Sequence, residues 1–183
     1  MLYEHTHNSS YTDELVKEMS DDYIPGDLFL ISGTSGTGKS ILSMRIAAEL
    51  QKQGVHPIYV NTERLVDSSL FEESGLDVNN ATIIHESSSD YIKQGLKKII
   101  FNASKSHKKV ALIIDGITTL NFENKVYVRE IDKANIYHLI KLLDDNNNLR
   151  LIATRQLQQS AISIEKRLIV STIGCIATKE GHK

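Results

Sequence analysis

The chain has 183 residues, 40% of them hydrophobic and 24% charged, and its formal net charge at pH 7 is -2. This is the size and composition of one globular domain, and the near-neutral charge argues against a chain that binds polyanions over its whole surface. The single cysteine, Cys175, excludes an intramolecular disulfide and a cysteine-rich metal site. No apolar run approaches the length of a membrane span and no signal-peptide core is visible, so we expect a cytoplasmic protein without membrane insertion.

The pattern divides the chain into a short tail and one domain. Residues 1–11 are polar, and we expect them to form a poorly ordered amino-terminal tail. Residues 12–183 carry alternating strand and helix patterns and are expected to fold as a single domain. The domain begins with a short predicted helix over residues 13–19, followed by a turn at residues 24–27.

An apolar run at residues 28–31 passes directly into GTSGTGKS, a full match to the GxxxxGK motif followed by Ser or Thr. Its glycines let backbone N–H groups surround phosphate oxygens, because no Cβ blocks the approach. The helix that follows would aim its free N–H groups at the same phosphates. Lys39 is expected to contact the β- and γ-phosphates, and the Ser40 hydroxyl to ligate Mg²⁺. The residues predicted to bind the nucleotide are Gly33, Thr34, Ser35, Gly36, Thr37, Gly38, Lys39 and Ser40.

Downstream of this loop, helical and strand periodicities alternate. The alternation predicts an α/β fold with a mainly parallel sheet between layers of helices, and the ligand at the carboxyl ends of the strands. The predicted elements are a helix at 41–53, a strand at 57–60, a helix at 65–74, strands at 81–85 and 110–116, a helix between them at 90–101, a helix at 130–143, strands at 149–154 and 168–177, and polar loops at 121–128 and 157–167.

The predicted helix at residues 90–101 is amphipathic. Its lysines suggest a solvated outer face, with contact to a polyanion as the alternative. The apolar face is formed by Tyr91, Ile92, Leu96, Ile99 and Ile100.

Two carboxylates follow predicted strands. Asp115 ends a near-continuous apolar strand and is expected to hold Mg²⁺ through water; the alternative is that it only caps the next turn. Glu63 follows the second strand and is the candidate base or water-orienting group, with a plain surface position as the alternative.

The chain resembles the RecA-type ATPase superfamily over roughly residues 12–178. TDEL at residues 12–15, IPGDL at residues 24–28 and GTSGTGK resemble KaiC-like proteins, although SDDY at residues 20–23 stands where that group carries glycines. The spacing of Glu63, Asp67 and the Gly-Leu-Asp turn at residues 75–77 is similar to that of the bacterial recombinase, whose glutamate activates the attacking water.

The resemblance implies ATP and Mg²⁺ as ligands and a parallel sheet in the order 3-2-4-5-1. In that order Gln156 would lie between the phosphate-loop strand and the Asp115 strand, where it would sense the γ-phosphate. The resemblance also implies a homo-oligomer, either a ring or a filament. The loops expected to face a central axis hold only three cations, Lys125, Lys166 and Arg167.

Three functions are compatible with the sequence. The first is an ATPase that handles DNA in recombination, repair or replication, and the second is a KaiC-like regulatory or scaffolding ATPase that acts on protein partners. The third, a small-molecule kinase, fits less well because no arginine-rich lid is visible. Ser171 and Thr172 resemble the phosphorylated stretch of KaiC, although a plain strand is the simpler interpretation.

Overall fold

The structure, a computed structural model, describes residues 9–21, 23–63, 68–107, 109–146, 148–156 and 163–168. No helix within these ranges is both long and apolar enough to cross a membrane. The elements are α1 Ser9–Ser20, β1 Asp27–Gly33, α2 Lys39–Lys52, β2 His56–Asn61, α3 Ser68–Glu73, β3 Thr82–His85, α4 Ser89–Ser106, β4 Val110–Asp115, α5 Val128–Asp144, β5 Leu149–Gln156 and β6 Ser163–Leu168, with 3₁₀ turns at Val78–Asn80 and Ile117–Thr119.

The strands form one sheet in the order β3-β2-β4-β5-β1-β6. Neighbouring strands from β3 to β1 pair in parallel, which confirms the predicted order 3-2-4-5-1. The sheet continues beyond β1 with β6, which pairs antiparallel to it. The phosphate loop and the strand ends therefore meet at the carboxyl edge of the parallel strands.

The position of β6 corrects the prediction for the carboxyl-terminal part. Residues 163–167 were expected in a polar loop, but they belong to a strand, in which Lys166 pairs with Phe29 and Arg167 with Leu28. The sequence of β6, SIEKRL, contains only two apolar residues, Ile164 and Leu168, so it lacks the apolar run on which the prediction of a strand relied. The remainder of the predicted final strand, residues 169–177, lies outside the described residues, as do Ser171, Thr172 and Cys175.

Side chains alternate along β1 and pack into two hydrophobic layers, one on each face of the sheet. Leu28 and Leu30 face the layer that contains residues of α4 and α5. Phe29 and Ile31 face the layer that contains residues of α1, α2 and α3. Since both faces are covered, the central strands are fully buried and consist of apolar runs.

The structure corrects details of the predictions for α1, α4 and β5. Helix α1 begins at Ser9, so residues 9–11 are helical and do not belong to the tail, because polar residues give no periodic signal for a helix start. Tyr91 is 72% exposed and does not share the inner face of α4, which is formed by Ile92, Leu96 and Ile100. Gln156 is the last residue of β5, where a position just past the strand was expected.

Two polar side chains tie the amino ends of the strands to α1 and to the segment that follows it. The Tyr23 hydroxyl lies within hydrogen-bond distance of the carbonyls of Val110 and Asn148 and accepts the Val110 N–H at 3.1 Å. Arg150 is 1% exposed, donates from Nη2 to the Met19 carbonyl at 2.7 Å, and lies 4.6 Å from the centre of the Phe29 ring. Tyr23 belongs to residues 20–23, the segment that departs from the KaiC-like pattern. Its hydroxyl bridges the Val110 and Asn148 carbonyls.

Candidate nucleotide-binding site

The loop between β1 and α2 adopts a conformation that depends on glycine. Gly36 and Gly38 have φ angles of 76° and 82°, in the left-handed region that other residues rarely enter. Thr37 Oγ1 and Lys39 Nζ both donate to the Thr34 carbonyl, at 2.9 and 2.6 Å, and so close the loop.

The first turn of α2 completes the phosphate-binding geometry. The N–H of Leu42 bonds to the Gly38 carbonyl at 2.9 Å, so the three N–H groups before it precede the helical hydrogen-bond ladder. Such N–H groups, at the positive end of the helix dipole, form a site for an anion.

Lys39 lies close to both candidate carboxylates. Partial burial lowers the pKa of Lys39, while the negative charges of Glu63 and Asp115 act in the opposite direction and raise it. The fold thus brings together a cation from the phosphate loop and carboxylates from the ends of β2 and β4. These are the three charged residues that the sequence singled out.

Asp115 is held by hydroxyl groups from both neighbouring strands. It is 5% exposed, and Thr154 Oγ1 of β5 donates to its Oδ1 at 2.7 Å. The Tyr59 hydroxyl of β2 donates to its Oδ2 at 3.0 Å. Thr154 Oγ1 also accepts the N–H of Gly116 at 2.8 Å, which ties the turn after Asp115 to β5.

A second contact of Tyr59 reaches the helix behind the phosphate loop. Its hydroxyl lies 2.8 Å from Ser43 Oγ, and Ser43 Oγ donates to the Ser40 carbonyl at 2.9 Å. Tyr59, Thr154 and Ser43 were not predicted from the sequence. The available signal was weak: each is a residue with a hydroxyl group inside an otherwise apolar strand or helix face.

Glu63 is an exposed side chain that lies against Gly116. A Cβ at Gly116 would lie 2.8 Å from Glu63 Cγ and 2.5 Å from Thr62 Oγ1. Thr62 Oγ1 contacts the carbonyls of Asp115 and Gly116, each at 2.8 Å, and accepts from Thr119 Oγ1 at 2.8 Å. These hydrogen bonds attach the segment after β2 to the turn after β4, and they thereby determine the position of Glu63.

Gln156 ends β5, the strand that lies between the phosphate-loop strand and the Asp115 strand. It pairs with Gly33 at the carboxyl end of β1, on a strand between β1 and β4, and its side chain is exposed. The preceding Arg155 donates from Nε to Ser32 Oγ at 3.1 Å. The role of Gln156 in sensing the γ-phosphate stays a prediction.

The residues at this edge fit a magnesium ion. Mg²⁺ prefers oxygen ligands and is commonly bound through one or two protein groups together with substrate phosphates and water. Each oxygen of Asp115 receives one hydroxyl donor and, having two lone pairs, keeps the capacity to accept from a metal-bound water. The half-buried Ser40 offers a hydroxyl in the first turn of α2.

Comparison with known proteins agrees with this geometry. Over residues 29–170 the chain matches the family described as "ATPase family associated with various cellular activities (AAA)". DNA repair protein RadA of Campylobacter jejuni is 32% identical over 123 residues, which are 66% of this chain and 26% of that protein. Protein RecA of Wolinella succinogenes is 26% identical over 101 residues, 55% of this chain and 28% of that protein. The chain thus spans about a quarter of the length of these curated relatives.

A solved structure of another ATPase domain shares the fold with a TM-score of 0.61 and 14% sequence identity, covering 81% of this chain and 63% of that one. Fold, phosphate loop and relatives together define a RecA-type P-loop ATPase, as the sequence predicted. The chain belongs to the ATPase family associated with various cellular activities, and is an ATPase.

Proposed function

We propose that the chain binds ATP with Mg²⁺, hydrolyses it, and couples its nucleotide state to self-association and DNA handling in the cytoplasm. The observation that carries the proposal is the position of two carboxylates at the edge of the sheet that holds the phosphate loop with Lys39: Asp115 ends β4, and Glu63 lies against Gly116, the next residue. Phosphoryl transfer needs charge stabilisation and a positioned nucleophile, and this set of residues offers both.

Each side chain has a defined role in the proposal. Lys39 and the N–H groups of the first turn of α2 bind the phosphates. Ser40 and Asp115 would hold Mg²⁺, which supplies positive charge against the phosphate oxygens when bound. Glu63 orients the attacking water and accepts its proton, and Gln156 responds to the γ-phosphate and passes the change to the residues that follow β5.

Two substitutions test the chemical part. Lys39→Ala removes the loop cation and should abolish ATP binding, measured by calorimetry. Glu63→Gln keeps the shape of the side chain but removes the carboxylate that would accept the proton. The variant should still bind ATP, while turnover falls by about 10²- to 10⁴-fold. Glu72→Gln, a substitution of the same type at an exposed position on α3, is the matched control and should leave turnover unchanged. Unchanged turnover in Glu63→Gln would remove Glu63 from the mechanism.

The DNA part of the proposal rests on the names of two relatives, a DNA repair protein and Protein RecA.

One local observation favours the second candidate, a regulatory ATPase that acts on a protein partner. Lys125 pairs with Glu123 at 3.4 Å, and Asn121 closes the same loop with two 2.8 Å hydrogen bonds to the Lys125 backbone. With Lys166 and Arg167 on a strand, the cations available at loops for phosphate contacts are fewer than predicted.

Steady-state ATP hydrolysis with and without single- and double-stranded DNA, at low and physiological salt, separates the two candidates. Stimulation by DNA that weakens as salt rises supports DNA handling. An absence of stimulation, together with a nucleotide-dependent change in oligomer size by light scattering, supports the regulatory ATPase.

A further inference from the structure

We propose that Tyr59 is a positioning residue for Asp115, which it holds in the orientation that binds Mg²⁺ beside the phosphate loop. The inference rests on the proposed function of Asp115 as the magnesium carboxylate. Tyr59 is 0% exposed, and its hydroxyl lies between Asp115 Oδ2 at 3.0 Å and Ser43 Oγ at 2.8 Å. It thereby connects the carboxylate at the end of β4 to the helix that carries Ser40.

A count of protons identifies the donor to Asp115. The contacts from Asp115 Oδ2 to Tyr59, from Tyr59 to Ser43, and from Ser43 to the Ser40 carbonyl involve only two hydroxyl protons. The Tyr59 hydroxyl also lies 3.5 Å from the Ser40 carbonyl, but the contact with Asp115 is shorter and a carboxylate is the stronger acceptor, so the Tyr59 proton belongs to Asp115. Ser43 then donates either to Tyr59 or to the Ser40 carbonyl. Loss of the Tyr59 hydroxyl consequently leaves Ser43 with an acceptor and deprives Asp115 alone of a donor.

The surroundings of Tyr59 hold its hydroxyl in place. A tyrosine hydroxyl is neutral at physiological pH, so the group can donate to Asp115. The ring packs edge-on against Phe71 with centroids 5.0 Å apart, which fixes the direction of the hydroxyl.

The two donors to Asp115 come from opposite sides. Thr154 on β5 binds one oxygen and Tyr59 on β2 binds the other, so rotation of the carboxylate breaks at least one hydrogen bond. Outer hydrogen bonds of this kind orient metal ligands, and their loss typically reduces metal affinity or activity by about 10- to 100-fold.

The test variant is Tyr59→Phe, which keeps the aromatic packing and removes only the hydroxyl. Mg²⁺ is titrated against the protein with a non-hydrolysable ATP analogue, and binding is followed by calorimetry. We expect the half-saturating Mg²⁺ concentration to rise about 10-fold, and kcat to fall by a similar factor while KM for ATP at saturating Mg²⁺ stays within about twofold. Ser43→Ala, which leaves the bond from Tyr59 to Asp115 in place, should change both quantities by less than about threefold.

Tyr23→Phe is the matched control, because it removes a hydrogen-bonding hydroxyl from a part-buried tyrosine at the opposite edge of the sheet. It should lower the unfolding temperature without changing the Mg²⁺ titration. If Tyr59→Phe likewise changes only the unfolding temperature, Tyr59 is a purely structural residue and the inference is wrong.

Asp115→Asn, measured in parallel, distinguishes the inference from its premise. If Asp115→Asn leaves the Mg²⁺ titration unchanged, Asp115 is not the magnesium carboxylate, and both the proposed role and the inference fail. If Asp115→Asn abolishes the Mg²⁺ dependence and Tyr59→Phe does not alter it, the proposed role stands and the inference alone is wrong.

Discussion

The two edges of the sheet both bury polar side chains, but in different ways. At the carboxyl ends of the strands, here called the nucleotide edge and defined by Gly33, Asn61, Asp115 and Gln156, the hydroxyl groups of two side chains bind a carboxylate. At the amino ends, here called the anchor edge and defined by Tyr23, Asp27 and Arg150, long side chains reach backbone carbonyls of distant segments.

The difference concerns what each buried group contacts. At the nucleotide edge, hydroxyls bind Asp115 beside an open loop, so they hold a charged group in position for a ligand. At the anchor edge, Arg150 binds the last turn of α1 and a ring of β1, while within the described residues its Nε and Nη1 have no hydrogen-bond partner. Burial lowers the pKa of Arg150, and Asp27 and Tyr23 offset part of that effect. Substitutions at the first edge should therefore change turnover, and those at the second should change stability.

The largest effect on turnover outside the charged residues is expected for Gly116→Ala. The new Cβ would lie 2.5 Å from Thr62 Oγ1 and 2.8 Å from Glu63 Cγ, at a residue whose φ is 96°. Glu63 must move, and a displacement of about 1 Å at a reacting group lowers kcat by about 10²-fold. Steady-state ATP hydrolysis checks this.

Gly95→Ala is the matched control for Gly116→Ala. Gly95 lies within α4, and its new Cβ would meet only Ile99 Cδ1 at 3.8 Å. Because alanine favours the helix, we expect a gain of about 0.5–1 kcal/mol in stability and no change in turnover. Full activity in Gly116→Ala would show that the position of Glu63 does not matter.

At the anchor edge the largest effect on stability is expected for Arg150→Met. Methionine fills part of the volume but loses the bond to the Met19 carbonyl, the contact with Phe29 and the charge beside the buried Asp27. We expect a loss of about 3 kcal/mol in the free energy of unfolding, measured with urea, and near-normal kcat for the folded fraction. A large fall in kcat with unchanged stability would contradict the division between the two edges.

The sequence predicted the nucleotide edge better than the anchor edge, for physical reasons. Few other structures explain a glycine-rich loop that ends in Lys39 and follows an apolar strand, together with a second apolar strand that ends in Asp115. The order of the strands was predicted from the family resemblance. Tyr59 went unnoticed because an aromatic residue inside IYV looks like any core residue, and its hydroxyl gains meaning only once β2 and β4 are adjacent. Arg150 went unnoticed because an arginine at a strand start normally faces solvent.

A smaller effect on stability is expected for Tyr23→Phe. The hydroxyl loses its contacts with the carbonyls of Val110 and Asn148, and the Val110 N–H loses an acceptor. Burial raises the pKa of Tyr23 to about 12, so the protein contains the neutral phenol at physiological pH. We expect a loss of about 1–2 kcal/mol by urea unfolding. A loss below a few tenths would mean that water replaces these contacts and that Tyr23 does not anchor the edge.

The smallest effect is a pH dependence that His56 adds to the anchor edge. His56 lies at the amino end of β2, stacks on His107 with ring centroids 4.0 Å apart, and contacts Thr82 Oγ1 through Nε2 at 2.9 Å. Burial, with a contribution from His107, lowers the pKa of His56 below its ordinary value of 6.5. The unfolded chain therefore binds a proton at His56 more readily than the folded one. The contribution of His56 to stability is complete above the pKa that His56 has in the unfolded chain, and it is lost as the pH falls from 6.5 toward the lower pKa in the folded chain.

Urea unfolding of the wild type and His56→Gln at about pH 7 and about pH 5 tests this dependence, and the wild type should lose more stability than the variant on acidification. An equal loss in both proteins would mean that solvent reaches His56 freely, and that this part of the anchor edge is not closed to water.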